Sequence, residues 1–186
     1  MKNITELPKD LPIPIDDGAC DHLLGQFLPS TVLFSTHGRR VDLSAISGHI
    51  VIYCYPMTGQ PGIALPDTWD MIPGARGCTP QSCAFRDHYQ ELNELKTQVF
   101  GLSTQTTEYQ MEAVSRLHLP FELLSDRDFK FAEMLKLPMF EVEGKKLIKR
   151  VTLIAEAAKI LKCFYPVYPP DRNADEVIDW LRNNIV

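Results

Sequence analysis

The sequence predicts an α/β domain in which a mixed β-sheet carries helices on both faces. Three observations carry that reading. Ile50-Val51-Ile52-Tyr53-Cys54-Tyr55 is β-branched or aromatic and apolar at nearly every position, as a strand buried on both faces should be. Strand-like and helix-like segments then alternate to about residue 136, and two neighbouring strand-like runs precede a C-terminal helix. With 186 residues, 45% of them hydrophobic and 23% charged, the chain can bury one full core. The expected organisation is an N-terminal arm over residues 1–25 and a single domain over 26–186.

Residues 1–25 are rich in Pro, Asp and Gly and follow neither a helical nor a strand period, which predicts an extended arm docked through its apolar residues. Thr31–Thr36 and Arg40–Leu43 flank the turn pair His37-Gly38 and read as a hairpin. After the strand at 50–55, the stretch from Pro56 to Gly77 holds four prolines and four glycines without helical period, so it is a long loop of the kind that is usually functional. A helix is expected from about Thr79 to Lys96, with Phe85, Tyr89, Leu92 and Leu95 as its apolar stripe. Pro80 suits its first turn, where an N–H would be free in any case. There follow a strand at 99–103, a helix at 107–117, a strand at 121–124 and a helix at 128–136. Continuous strands at Leu147–Ile154 and Lys159–Tyr165 and a helix from Asp175 to about Asn184 close the chain.

A net charge of −5, with no basic cluster longer than Lys145-Lys146 followed by Lys149-Arg150, argues against a nucleic-acid surface. The acidic, proline-containing first residues do not resemble a signal peptide, and no segment approaches 18 apolar residues, so the expectation is a cytoplasmic protein away from membranes. Five cysteines, an odd count, argue against a structural disulfide framework; in a reducing compartment a close pair is catalytic or metal-binding.

That pair is Cys78 and Cys83, in Gly77-Cys78-Thr79-Pro80-Gln81-Ser82-Cys83-Ala84-Phe85-Arg86-Asp87, where loop gives way to helix. Free N–H groups and the macrodipole at a helix start favour an ionised sulfur and can bring a cysteine pKa from about 8.5 toward neutrality. Cys78 reads as the activated nucleophile and Cys83 as the thiol that closes a disulfide onto it. In an undistorted helix five residues separate the Cα atoms by roughly 8 to 9 Å, beyond the ~7 Å that a disulfide can bridge without backbone movement. Oxidation is therefore expected to unwind the first turns. Such a cycle suits peroxide reduction, in which a thiolate becomes a sulfenic acid that a second thiol captures. Arg150, Arg86 and Arg76 are candidates, by residue type, to hold the peroxide.

Tyr55-Pro56, Gly77-Cys78-Thr79, Cys83, Phe85-Arg86-Asp87, Leu124-Ser125-Asp126 and Arg150-Val151-Thr152-Leu153-Ile154 together resemble the peroxiredoxins, in particular the bacterioferritin-comigratory or Q-type branch. The resemblance spans about residues 25 to 186. It implies a thioredoxin-like fold, with Cys78 as peroxidatic cysteine, Cys83 as resolving cysteine and Arg150 as the strand arginine over the peroxidatic sulfur. It also implies thioredoxin or a similar dithiol as reductant, with no metal and no organic cofactor, in a monomer or homodimer. One departure stands out. Where the family keeps a Pro seven residues and a Thr or Ser three residues before the peroxidatic cysteine, this chain has Met71 and Ala75. Counted from Tyr55-Pro56, an insertion of about fourteen to sixteen residues precedes Cys78, and Pro56 with Thr58 is the candidate remnant of the peroxide pocket.

The remaining cysteines read as passive. Cys54 and Cys163 fall in apolar strands and suit small core residues. Cys20 has acidic neighbours, which raise a thiol pKa. Arg86 is expected to make an ion pair with Asp87 or Glu91, and Arg76 to be a loop charge. Two other functions fit the same thiols: a redox-sensing interaction protein that uses the disulfide without turnover, and, more weakly, a thioredoxin-fold metal carrier.

Overall fold

The expected hairpin is present as β1 (Val32–Ser35) and β2 (Arg40–Asp42), which pair antiparallel around His37-Gly38. The computed structural model describes residues 7–185, so the first six residues of the arm lie outside the description. The central strand is β3 (His49–Cys54), and its side chains alternate between two cores. Ile50, Ile52 and Cys54 enter one, whereas Val51 and Tyr53, followed by Tyr55, enter the other. A strand apolar on both faces is what this two-sided burial requires.

The expected single helix after the loop is two: α1 (Cys78–Asp87) and α2 (Tyr89–Glu94), interrupted at His88. The His88 ring bridges Glu91 of α2 at 2.8 Å and Asp175 near the C-terminus at 3.1 Å, so the break sits where a third segment docks. Next come β4 (Thr97–Ser103), α3 (Thr107–Leu117), β5 (Glu122–Ser125) and a short α4 (Lys130–Met134). Thr106 caps α3 by accepting from the Tyr109 N–H, which sets that boundary locally.

The region expected to form one strand from Leu147 is divided. A separate ribbon of β6 (Met139–Val142) and β7 (Lys145–Ile148) precedes β8 (Val151–Glu156) and β9 (Lys159–Phe164). Glu143 and Gly144 join β6 to β7 with φ of 48° and 71°, the positive pair of a type I′ turn. Helix α5 (Asn173–Asn184) ends the chain.

The seven-stranded sheet has the order β2-β1-β5-β4-β3-β8-β9. β3, β4 and β5 run parallel, and the remaining pairs are antiparallel. Residues of α1, α2, α3 and α5 cover one face, including Phe85, Leu92, Ala113 and Val177. The other face is covered by Phe131 and Ala132 of α4, by Leu23 of the arm and by Leu28 just after it. The arm does dock: Gly25 N–H donates to Ile160 O at 2.9 Å and Ile160 N–H to Gln26 O at 2.8 Å, which shields the exposed edge of β9.

Helix α1 sits on β3 through aromatic stacking, with the Tyr53 and Phe85 rings 4.6 Å apart and the Tyr53 hydroxyl donating to Ser82 Oγ at 3.1 Å. Gly101 in β4 makes room for that stack. A Cβ there would lie 2.4 Å from Leu123 Cδ2 and 2.7 Å from Tyr53 Cζ. Gly101→Ala is therefore expected to overpack the core and lower unfolding stability by about 1–3 kcal/mol, read as a lower urea midpoint with an unchanged m-value. An unchanged midpoint would show that Tyr53 moves freely and does not fix α1.

Candidate active site

The long loop before α1 has a small core of its own. Trp69 and Ala75 pack with Val142 and Leu147 of the β6–β7 ribbon, joined by Met57, Leu65, Ile72 and Phe140. Asp67 N–H donates to Glu143 Oε1 at 3.0 Å and ties loop to turn. The loop is thus a packed flap seated on the ribbon, and its two ends meet beside the helix start. Met57, Gly59, Leu65, Trp69 and Arg76 border Cys78 and Thr79 around a narrow cleft of about 10 Å³.

At that helix start Gly77 has φ of 105°, and a Cβ on it would come within 2.4 Å of Pro170 Cγ and 2.8 Å of Leu7 Cδ2. Only glycine meets both the left-handed backbone and the close packing. The packing holds the next residue, Cys78, at the first position of α1 with its thiol buried. Arg150, just before β8, lies on the same face of the sheet, since Val151 and Leu153 turn to the opposite core. Its Nη2 donates to Cys78 Sγ, Ala75 O and Arg76 O, each at 3.2 Å. The Cys78 thiol is 3.6 Å from Ala75 O, to which it can donate.

A second layer holds the arginine. Nη1 of Arg150 donates to Gln81 Oε1, Gln81 Nε2 donates to Asn173 Oδ1 at 2.9 Å, and the Thr152 hydroxyl donates to the same oxygen at 2.7 Å. All four residues are buried. A buried guanidinium with so many acceptors is fixed in orientation, which is what a donor aimed at a reacting sulfur needs. Cys83 lies about one and a half turns further along α1, half-buried beside Arg86 and Arg116. Burial pushes its thiol above the ordinary cysteine range, and the positive charge of Arg86 opposes this. All five cysteines are free, and α1 is wound through both Cys78 and Cys83.

The structure thus brings Cys78, Arg150 and, on the same helix, Cys83 together. Pro56 is buried where the chain leaves β3. Thr58 is buried with its hydroxyl donating to Gln105 Oε1 at 3.2 Å, while its neighbours Met57 and Gly59 reach the cleft. Arg86 pairs with Asp87 at 2.8 Å and caps Leu117 O at 2.9 Å. Arg76, which the sequence suggested was a plain loop charge, is buried against the cleft and paired with Asp70 of the flap at 3.4 Å. Sequence reasoning missed Gln81, Asn173 and Thr152. Gln81 had a signal, since three residues past Cys78 on a helix is the same face; Asn173 had none. Among the described residues no three His, Cys, Asp or Glu side chains converge to hold a metal ion.

A thioredoxin-like sheet that presents a buried cysteine at a helix start under a strand arginine defines a thiol-based redox protein. A family model described as Redoxin matches residues 23–178. The chain is 29% identical over 161 residues to chloroplastic peroxiredoxin Q of Sedum lineare, covering 86% of this chain and 77% of that one. It is 35% identical over 111 residues to peroxiredoxin Bcp of Bacillus subtilis, covering 59% and 61%. Among solved structures, peroxidoxin BcpB from Mycobacterium tuberculosis superposes with a TM-score of 0.71 at 24% identity, over 88% of this chain and 98% of that one. The chain belongs to the redoxin family, as a peroxiredoxin of the Q or Bcp type, and is a thiol-dependent peroxidase that takes a peroxide substrate and a thiol reductant. The sensing-only alternative is not favoured.

Proposed function

We propose that Cys78 is the peroxide-reducing thiol, that Cys83 resolves it, and that Arg150 holds the reacting atoms. The single observation that carries this is the 3.2 Å contact between Arg150 Nη2 and Cys78 Sγ at the start of the helix that also bears Cys83. The Cys78 sulfur attacks one peroxide oxygen, the O–O bond breaks, and the other oxygen leaves as water or alcohol while Cys78 becomes a sulfenic acid. The substrate is hydrogen peroxide or a small organic hydroperoxide. Arg150, with Nη2 shared among Sγ and two carbonyl oxygens, is placed to donate to the leaving oxygen as charge develops.

In the wound helix the two sulfurs cannot bond, because five helical residues hold their Cα atoms roughly 8 to 9 Å apart. Resolution then requires the first turns of α1 to open, breaking the Gln81 N–H to Gly77 O bond. Cys83 attacks the sulfenic sulfur, hydroxide leaves as water, and thioredoxin or a similar dithiol reduces the disulfide by exchange. An odd count of five cysteines suits a reducing compartment such as the cytoplasm.

Cys83→Ser tests the resolving role. It is expected to permit one turnover, stop recycling by thioredoxin, and leave Cys78 prone to sulfinic acid, read by stopped-flow peroxide consumption and intact mass. Burial raises the Cys83 thiol while α1 is wound, and opening the helix removes that burial. Resolution limited by Cys83 attack should therefore quicken with rising pH up to about 8.5, the ordinary thiol value, whereas a rate set by helix opening should not change with pH. Steady thioredoxin-linked turnover by Cys83→Ser at the rate of the unmodified chain would remove Cys83 from the cycle.

A further inference from the structure

The arm and β9 bring two other sulfurs together. Phe27 bridges Lys159, Gln26 and Gly25 bond Ile160, and Asp17 accepts from the Tyr165 hydroxyl at 2.8 Å, so the arm runs antiparallel along β9. That track brings Cys20 beside Cys163, and both side chains pack into the same core. A register shift in the β8–β9 pairing puts Cys163 across from Leu153, on the face of the sheet that receives Leu23 and Cys20 from the arm. Cys54 belongs to the same core, but β8 lies between β3 and β9. Two strand spacings of about 4.8 Å each put its backbone beyond the ~7 Å reach of a disulfide to Cys163. Cys20 has no intervening strand.

We propose that Cys20 and Cys163 form a second redox-active pair, oxidised to a disulfide by excess hydroperoxide, that fastens the N-terminal arm to β9. Cys163 is half-buried and so reachable, whereas Cys20 is buried beneath the arm. The more accessible sulfur, Cys163, is therefore the one that meets the peroxide first. Cys163 attacks the peroxide, the O–O bond breaks, and water or alcohol departs to leave a sulfenic acid. The Cys20 sulfur then displaces hydroxide, which takes the Cys20 proton and leaves as water; the two sulfurs have lost two electrons and the peroxide has gained them.

The consequence reaches the peroxide site through the arm. A cavity of about 300 Å³ is lined by Ile13, Pro14 and Asp17, by Ile72 and Gly74 of the flap, and by Arg150. Leu7 lies against Gly77. A fastened arm would hold these walls in place when peroxide outruns the reductant. This pair is independent of the roles given to Cys78 and Cys83.

The test uses the Cys78→Ser/Cys83→Ser chain treated with excess hydrogen peroxide, then alkylated and mapped without reduction. The expected result is loss of two hydrogens from the intact mass, a linked Cys20–Cys163 peptide pair, Cys54 still alkylatable, and slower proteolysis of the arm. Adding Cys20→Ser should abolish the link and carry Cys163 on to sulfinic acid. Retention of all three thiols, a Cys54–Cys163 link, or a link only between two molecules would overturn the proposal. The unmodified chain under the same peroxide excess must show the same peptide pair, and there the Cys78–Cys83 peptide reports the primary cycle separately.

Discussion

Replacing Cys78 with Ser is expected to abolish thioredoxin-linked peroxide turnover altogether, and the expectation rests on chemistry more than on packing. Peroxide reduction needs an atom that can accept oxygen and be returned by thiol exchange; sulfur climbs that ladder and a serine oxygen cannot. The substitution is nearly isosteric, and a serine hydroxyl can still donate to Ala75 O and accept from Arg150 Nη2, so the fold should persist with a stability change of at most about 1 kcal/mol. Coupled NADPH oxidation with thioredoxin and its reductase measures the loss, and circular dichroism confirms the fold. Slow peroxide consumption that ends after a single equivalent would come from Cys20 and Cys163. Continued cycling by Cys78→Ser would take the chemistry away from this sulfur.

Arg150→Met should produce the second largest effect, a fall of about 10²–10³ in the rate of the first peroxide reaction, the scale for losing one preorganised donor to a developing oxyanion. Ala75 O, Arg76 O and Gln81 Oε1 each lose their donor from this arginine. Buried acceptors without partners add a stability cost on the order of 1–3 kcal/mol. Arg150→Lys separates charge from geometry, because an ammonium restores the cation but cannot reproduce a planar fork across these acceptors. It should recover stability more than rate. The sulfur-to-disulfide step, followed after rapid peroxide addition, should be nearly unchanged in both variants, since Arg150 is not assigned to it. Equal slowing of both steps would recast Arg150 as a support of α1 with no part in peroxide activation.

The origin of the flap–ribbon unit explains why the sequence was misleading there. Glu143-Gly144 is a weak turn signal beside Asn-Gly, and Lys145-Lys146 interrupts any apolar alternation, so β7 merged with β8 in the sequence reading. The ribbon is stabilised by Trp69 and Leu65, which arrive from some seventy residues earlier. Its partner is therefore invisible to any short window. The break at His88 has the same cause, since the His88 ring reaches Asp175 of the last helix.

What the chain alone determined is local. Two-sided apolarity specified β3, the alternation of strand-like and helix-like segments placed α3 at about 107 to 117, and the spacing of Cys78 and Cys83 on one helix already forbade a bond without unwinding. These follow from interactions between residues a few positions apart, which the order of amino acids encodes directly. Tertiary structure decided the rest: Arg150 meeting Cys78, the anchoring of Arg150 by Gln81, the turning of Thr58 toward Gln105, and the packing of Cys20 and Cys163 into one core. Each depends on strand register and on which face of the sheet a side chain enters, and those are set by the packing of the whole core.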